Sequence, residues 1–461
     1  MDLVRRVAGL PLVAVVIGLA ATALAWHRLG PVPRNTVWAE DGGVFLRERI
    51  ALGPVDTLLH PYAGYLHLLP RMVVDLGYAL PIARYAQVVS LSSCLVVGAV
   101  CALVFVLSRD VVRPWPFRLV LAAVPVVLPL APYEISGNAA NLHWYLLVLV
   151  PWVFAHRSRT WWGAVALAVV TGLAVLTEPQ TIVFLPLLLL AWTPRGTQPG
   201  TQRGTQPVRS TRGVRLLPLP VTVVALAGAV AQVVTTATHP RDLTPGAPAF
   251  RDVLAGFLLR PVAGAWDPDL GGVLAAVVAH GWARVLVPAA VLLVVLVAGV
   301  VVGPARVRWT VLALTLGSGG VWWAALLAND GVGVSWASPT ATMAAIPPQR
   351  YAAAAGLLLV SAAVVAAAAL ADTTRWSRVA ERTGGAGRLV GALAAWCVVA
   401  AVVTSAVLHV APTDTRRSGG PVWAEQLPAA AEACRADPTL EVVRVRSNPW
   451  SSPVACDWLF R

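Results

Sequence analysis

Two carboxylates stand side by side in Trp38-Ala39-Glu40-Asp41-Gly42-Gly43, a short way past the first long apolar run of the chain. Adjacent acids at a membrane surface are costly to hold near lipid, so a chain that keeps them there has a use for them. Such a pair can take a proton from an attacking hydroxyl or bind a hard divalent cation, Mg or Mn. Asp41 is the expected base, with Glu40 supporting it or, together with Asp41, holding the metal. The structural alternative makes Asp41-Gly42 a turn and Glu40 the cap of the next helix.

The elements that must position this pair are membrane helices. A chain that is 57% hydrophobic and only 12% charged lies outside the soluble globular range. Apolar runs long enough to cross the hydrocarbon core recur along it, at 7–26, 82–107, 117–133, 142–155, 160–176, 181–193, 216–237, 283–303, 307–328, 350–371 and 389–410. The expected fold is an all-α polytopic membrane protein with about eleven transmembrane helices. The first run follows Met1-Asp2-Leu3-Val4-Arg5-Arg6 and lacks a small-residue cleavage site before His27, so it reads as a retained signal anchor with a cytoplasmic N-terminus.

The formal charge of +13 comes from 35 basic residues, all arginine, as a GC-rich bacterial coding sequence would give. They do not form a basic domain with an aromatic face, so nucleic acid is not an expected partner. Threading the spans puts Arg109, Arg113 and Arg118, Arg157 and Arg159, the run Arg195 to Arg215, Arg306 and Arg308, and Arg375 to Arg388 on the inner side, as the positive-inside rule requires. The longer loops 27–81, 238–282 and 329–349, the turns 134–141 and 177–180, and the tail 411–461 then face outward. The expected location is the plasma membrane, multi-pass, with the C-terminus extracytoplasmic. The body is 1–410, and the Gly-Thr-Gln repeats within 194–215 form a disordered inner linker.

The first outer loop carries the richest chemistry. After the acidic pair comes a short helix through Arg49, then His60-Pro61-Tyr62-Ala63-Gly64-Tyr65-Leu66-His67-Leu68-Leu69-Pro70-Arg71. Trp38, Phe45, Tyr62 and Tyr65 suit the membrane–water boundary, so interfacial helices are expected there. Tyr65 is also a candidate substrate contact. His60 and His67, seven apart, could share a helix face but make poor metal ligands without a third partner. Cys94, Cys101 and Cys397 lie in spans as packing residues. Cys434 and Cys456, in the outer tail, could form a disulfide in an oxidising compartment.

In this layout the chain resembles the GT-C superfamily of membrane glycosyltransferases, which use polyprenyl-phosphate sugars and carry an acidic pair in the first outer loop. The likeness covers the inside N-terminus, the number of spans, the long first outer loop and the terminal outer segment. It departs from some members in having no large C-terminal soluble domain, only the tail 411–461. The resemblance implies transfer of a sugar from a polyprenyl-phosphate donor to an envelope glycan, lipid or protein acceptor on the outer face, among membrane lipids.

Further roles follow from that implied chemistry. Glu134, in the second outer loop, becomes a second carboxylate, and Asn138, Asn141 and His143 become hydrogen-bond partners for sugar hydroxyls. Glu178 either faces the same cavity or caps the span that begins at Pro179. Arg350, followed by Tyr351, would hold the donor phosphate, with Arg71, Arg241 and Arg260 as competitors. A transporter or lipid-linked-sugar flippase is the second reading, opposed by spans nearly free of ionisable residues. A non-catalytic scaffold for envelope assembly is the third.

Overall fold

The computed structural model describes residues 2–193, 216–241, 245–329, 334–347 and 350–461. The linker expected at 194–215 lies outside the described residues. Among those described, eight helices are long and apolar enough to cross a membrane: Leu10–Leu29, Ile82–Asp110, Trp115–Glu134, Leu219–Thr238, Ala283–Val302, Ala305–Ala328, Arg350–Ala371 and Gly384–Leu408. Each overlaps an expected span.

The other three expected spans are helices of less than crossing length, Leu142–Ala155, Trp161–Val175 and Pro179–Trp192. Fourteen residues of helix cover only about 21 Å, less than a hydrocarbon core of roughly 30 Å, so eight of the eleven expected spans have crossing length among the described residues. Leu142–Ala155 shows why a short helix suffices: every residue in it is buried, so it is solvated by protein and need not match the bilayer thickness. A further short apolar helix, Leu270–His280, lies in the stretch read from sequence as the loop 238–282.

The loops sort to two ends of the bundle. At one end, the Arg306 guanidinium bonds the carbonyls of Ala155 and Leu190, Arg375 Nη1 reaches Val111 O at 3.2 Å, and Ser377 N bonds Val302 O. These are the short basic loops assigned to one side from charge. At the other end, Arg28 Nε donates to His409 O at 3.0 Å and Arg28 Nη1 to Leu128 O at 3.2 Å. That guanidinium satisfies carbonyls left open where two helices finish. The loops that follow Leu29, Val127, Val175, Thr238, Ala328 and Leu408 all gather at this second end.

The Arg350–Ala371 helix runs through the centre, packed against Ala305–Ala328, Gly384–Leu408 and Ala283–Val302. In its most apolar window 94% of residues are buried, against 11% in Leu10–Leu29 and in Gly384–Leu408, which therefore face outward to lipid. Its alanines, Ala352 to Ala355 and Ala366 to Ala369, present so little bulk that neighbouring backbones approach closely.

The tail is a small folded unit. It comprises the helix Trp423–Ala436, antiparallel strands Val442–Arg446 and Ser451–Ala455, and the short helix Cys456–Leu459. A disulfide joins Cys434 to Cys456. Trp423 is buried, its backbone amide on Asn35 O and its indole on Ile82 O at 2.9 Å, so the tail is seated on the first loop.

That loop contains the helices Pro31–Arg34, Arg47–Asp56 and Leu68–Tyr78 and a wide π-turn over Asp41–Leu46. Trp38 and Phe45, expected at the membrane boundary, are buried inside instead, because the tail and neighbouring helices cover them. His60 is exposed in a turn while His67 caps Leu68–Tyr78, so the two do not share a helix face. Cys94 and Cys101 are buried and Cys397 is exposed.

Candidate functional site

The direction of each acid follows from backbone geometry. Glu40 and Asp41 are consecutive helical residues, so their side chains diverge by roughly 100°. The turn that carries them is pressed against the tail through two glycines. A methyl group at Gly42 would lie 1.8 Å from Ser452 Oγ, and one at Gly43 would lie 2.9 Å from the Trp450 ring. Only residues without a Cβ let the strand Ser451–Ala455 run this close.

Asp41 points into the protein and is 1% exposed. Its two oxygens accept from Ala139 N at 3.0 Å and Ala140 N at 2.7 Å. Burial pushes its pKa up to about 7, against the opposing pull of those amides and of Arg417. Its own backbone carbonyl accepts from the Tyr85 hydroxyl at 2.9 Å. Asp41 thus fastens the first loop to the second and does not line the neighbouring cavity, so the role of base expected for it has no geometric support.

Glu40 points the other way, into a cavity of about 140 Å³. Oε1 accepts from Arg350 Nη1 at 3.1 Å, while Oε2 is buried and has no hydrogen-bond partner. Arg350 is shared: its backbone amide donates to Glu134 Oε2 at 3.1 Å, and Glu134 Oε1 accepts from Arg416 Nη1 at 3.0 Å. The order Glu40–Arg350–Glu134–Arg416 alternates in sign, so each buried charge has an opposite neighbour. Glu134 stands behind Arg350 rather than on the cavity wall.

The opposite wall comes from three other segments. His143, at the start of Leu142–Ala155, bonds Glu178 through Nδ1, and Glu178 Oε1 caps the following helix by accepting from Gln180 N at 2.8 Å. Glu178 therefore does both of the things the sequence left open. Tyr65 stacks on His67 with ring centroids 4.0 Å apart. His67 Nδ1 donates to Tyr65 O, and burial with His143 and Arg71 nearby holds its pKa well below the usual histidine range. At the mouth, Arg241 bonds the amide of Asn329 at 3.3 Å, and Asn329 in turn bonds the Tyr351 hydroxyl. Beyond Pro179 lies a mostly apolar groove of about 340 Å³, formed with Ile182, Gln232, Val233, Thr236 and Ala237.

No family model, curated protein or solved structure matches this chain. The chain is a helical protein with eight candidate membrane-spanning helices among the described residues and a polar cavity near one end of the bundle.

Of the residues singled out from sequence, Glu40, His143, Glu178, Tyr65, Arg350 and Tyr351 meet in the cavity, with Arg241 at its mouth. Asn138 and Asn141 do not. They are fully buried and bond Glu134 O, each other and the Trp144 indole, shaping the second loop. Arg71 is buried away from the cavity, where it pairs with Glu48 at 2.7 Å and donates to Thr57. Arg260 is buried over the Trp336 ring, and burial lowers its pKa to about 10. Sequence reading missed Arg416 and Arg417, which enter from the tail. Arg417 is buried, with Nη2 on Ser136 O at 2.8 Å and Nη1 on Thr36 O at 3.2 Å. Nothing in the local pattern Thr415-Arg416-Arg417-Ser418 distinguishes it from an exposed basic turn.

Among the described residues no three of His, Cys, Asp and Glu come together as a metal-holding group. Both Asp41 oxygens are occupied by amides and one Glu40 oxygen by Arg350, so the acidic pair does not converge on a cation.

Proposed function

We propose that this protein is a membrane glycosyltransferase that moves a sugar from a polyprenyl-phosphate donor to an envelope acceptor at the outer face. The observation that carries this reading is Glu40: a buried carboxylate that lines a polar cavity, with one oxygen on Arg350 and the other, Oε2, without a partner. A buried acceptor atom left unmatched costs about 1–3 kcal/mol, and a bound hydroxylated substrate would recover it.

The surroundings fit that substrate class. Among the described residues Arg241 bonds a neutral amide, which leaves its charge available for a donor phosphate. The charge of Arg350, by contrast, is met by Glu40 and Glu134, so Arg350 orients Glu40 and not the phosphate. The apolar groove that meets the cavity at Pro179 offers a place for a polyprenyl chain. Tyr62 and Tyr65 supply ring faces of the kind that pack against a sugar. Glu40 carries negative charge to the position where an anomeric carbon becomes electron-poor as the phosphate leaves.

Protein purified into lipid nanodiscs is expected to transfer labelled sugar from a polyprenyl-phosphate donor to an envelope glycan or lipid fraction. Glu40→Gln should lower turnover by 10²-fold or more while leaving thermal unfolding within one or two degrees of wild type. Movement of intact lipid-linked sugar across proteoliposomes, without any covalent product, would replace this reading with transport.

A further inference from the structure

Asp41 is locked to two backbone amides, so the proton acceptor that sugar transfer requires has to come from elsewhere in the cavity. We infer that His143, oriented by Glu178, is the general base that activates the acceptor hydroxyl. The inference rests on the transfer reading above and names the residue that reading leaves open.

The geometry is that of a carboxylate–imidazole pair. Both side chains are almost wholly buried, 6% exposed for His143 and 1% for Glu178, and both line the cavity. Glu178 is immobilised at the N-terminus of the Pro179–Leu187 helix, where one oxygen caps Gln180 N and the other meets His143 Nδ1. With Nδ1–H committed to the carboxylate, the neutral imidazole keeps its lone pair on Nε2. That nitrogen has no hydrogen-bond partner among the described residues. The carboxylate fixes the tautomer and stabilises the imidazolium once a proton arrives.

The other histidine of the cavity is less suited. His67 gives its Nδ1–H to a neutral carbonyl, Tyr65 O, and has no carboxylate to stabilise its charged form. The titratable and charged groups around this cavity, among the described residues, are Glu178 from the turn before Pro179, Tyr62, Tyr65, His67 and Glu40 from the first loop, Arg350 and Tyr351 from the central helix, and Arg241 at the mouth. Arg350 is balanced by Glu40 and Glu134, so Glu178 is the dominant charge at His143.

In the step itself, the acceptor oxygen forms a bond to the anomeric carbon as its proton passes to His143 Nε2. The bond from the anomeric carbon to the phosphate oxygen breaks, and its electron pair leaves on the polyprenyl phosphate. The imidazolium then returns its proton to water.

The test compares pH profiles of sugar transfer for wild type, His143→Ala, Glu178→Gln and Glu40→Gln in nanodiscs, with thermal unfolding as the folding control. His143→Ala should lose 10²- to 10⁴-fold in turnover, and added imidazole should restore part of it in proportion to concentration. Wild type should show one acidic limb, which Glu178→Gln moves to lower pH by more than Glu40→Gln does, because the imidazolium loses its directly bonded counter-charge. A His143→Ala protein that turns over within a few-fold of wild type, or keeps the same acidic limb, overturns the inference and leaves Glu40 as the base. If His143→Ala is inactive yet unmoved by imidazole while Glu178→Gln leaves the limb in place, the pair is structural and the inference fails. Absence of transfer by wild type, with every donor class tried, overturns the transfer reading and this inference together.

Discussion

At the residue scale, two neighbouring acids have been given different work by one helical step. Glu40 faces the cavity with an unmatched oxygen, and Asp41 faces inward as a clamp on Ala139 and Ala140. Their substitutions should therefore separate. Glu40→Gln is a turnover variant. Asp41→Asn is a folding variant, because an amide in place of the carboxylate turns an N–H toward one of the two backbone donors. The pH dependence of stability distinguishes them further. Burial lifts the folded pKa of Asp41 to about 7, above its value near 4 in an unfolded chain. Between those values the folded state keeps a proton that the unfolded chain has released, so this contribution falls as pH rises and is gone above about 7. His67 contributes the opposite slope, because its folded pKa is depressed. The difference between wild type and Asp41→Asn in melting temperature, measured from pH 4 to 8, should isolate the Asp41 slope. A pH-independent difference would remove it.

At the scale of elements, the site depends on a seam between the Asp41–Leu46 turn and the strand Ser451–Ala455. Gly42→Ala puts a methyl group into Ser452 Oγ and the Val37 side chain, which have to move or lift the strand. Overpacking of this kind costs about 1–3 kcal/mol. The expected result is a lower melting temperature together with weaker transfer, since the same turn aims Glu40. Adding Ser452→Gly should recover much of both, and failure of the double variant to recover either would mean the seam is not what aims the acid. The Asp269 side chain shows ordinary capping in the same region, accepting from Gly272 N at the start of Leu270–His280. That helix is a local matter of cap and apolar face, whereas the seam exists only because two distant segments meet.

At the scale of the whole molecule, the tail completes the site. Arg416 closes the alternating charge row at Glu134, and Arg417 is buried among carbonyls of the first and second loops. The disulfide closes a loop across 22 positions of sequence, worth about 3 kcal/mol on the chain-entropy account. Replacing Cys434 and Cys456 with serine should destabilise the tail by that order, lower the melting temperature and make the tail more susceptible to protease. Transfer should fall in step with the loss of tail order. A double variant with a released tail and full turnover would show that Arg416 and Arg417 are dispensable. The described arginines at the opposite end, such as Arg306, Arg308 and Arg375, do not line the cavity, so they should tolerate exchange with little effect on turnover.

Hydropathy and charge alone were enough for the membrane class, the positions of the eight long helices and the sorting of basic loops to one end, because these depend on composition summed over about 20 residues. They also drew attention to Glu40 and Glu178, as acids that an apolar chain has reason to exclude, whereas Arg350 and His143 were singled out through the resemblance to membrane glycosyltransferases. What they could not supply was depth and direction. The Arg350–Ala371 helix is no more apolar than the Ala283–Val302 helix, yet it is far more deeply buried, because alanine's small size matters only once neighbours are present. The Leu142–Ala155 helix is an apolar run like the others in sequence, and only the structure shows that protein surrounds it on every side. Which of two adjacent acids faces the cavity, and which arginine is spent on a carboxylate, was decided by contacts between residues hundreds of positions apart. Glu40 to Arg350 and Glu134 to Arg416 are such contacts, and no local pattern encodes them.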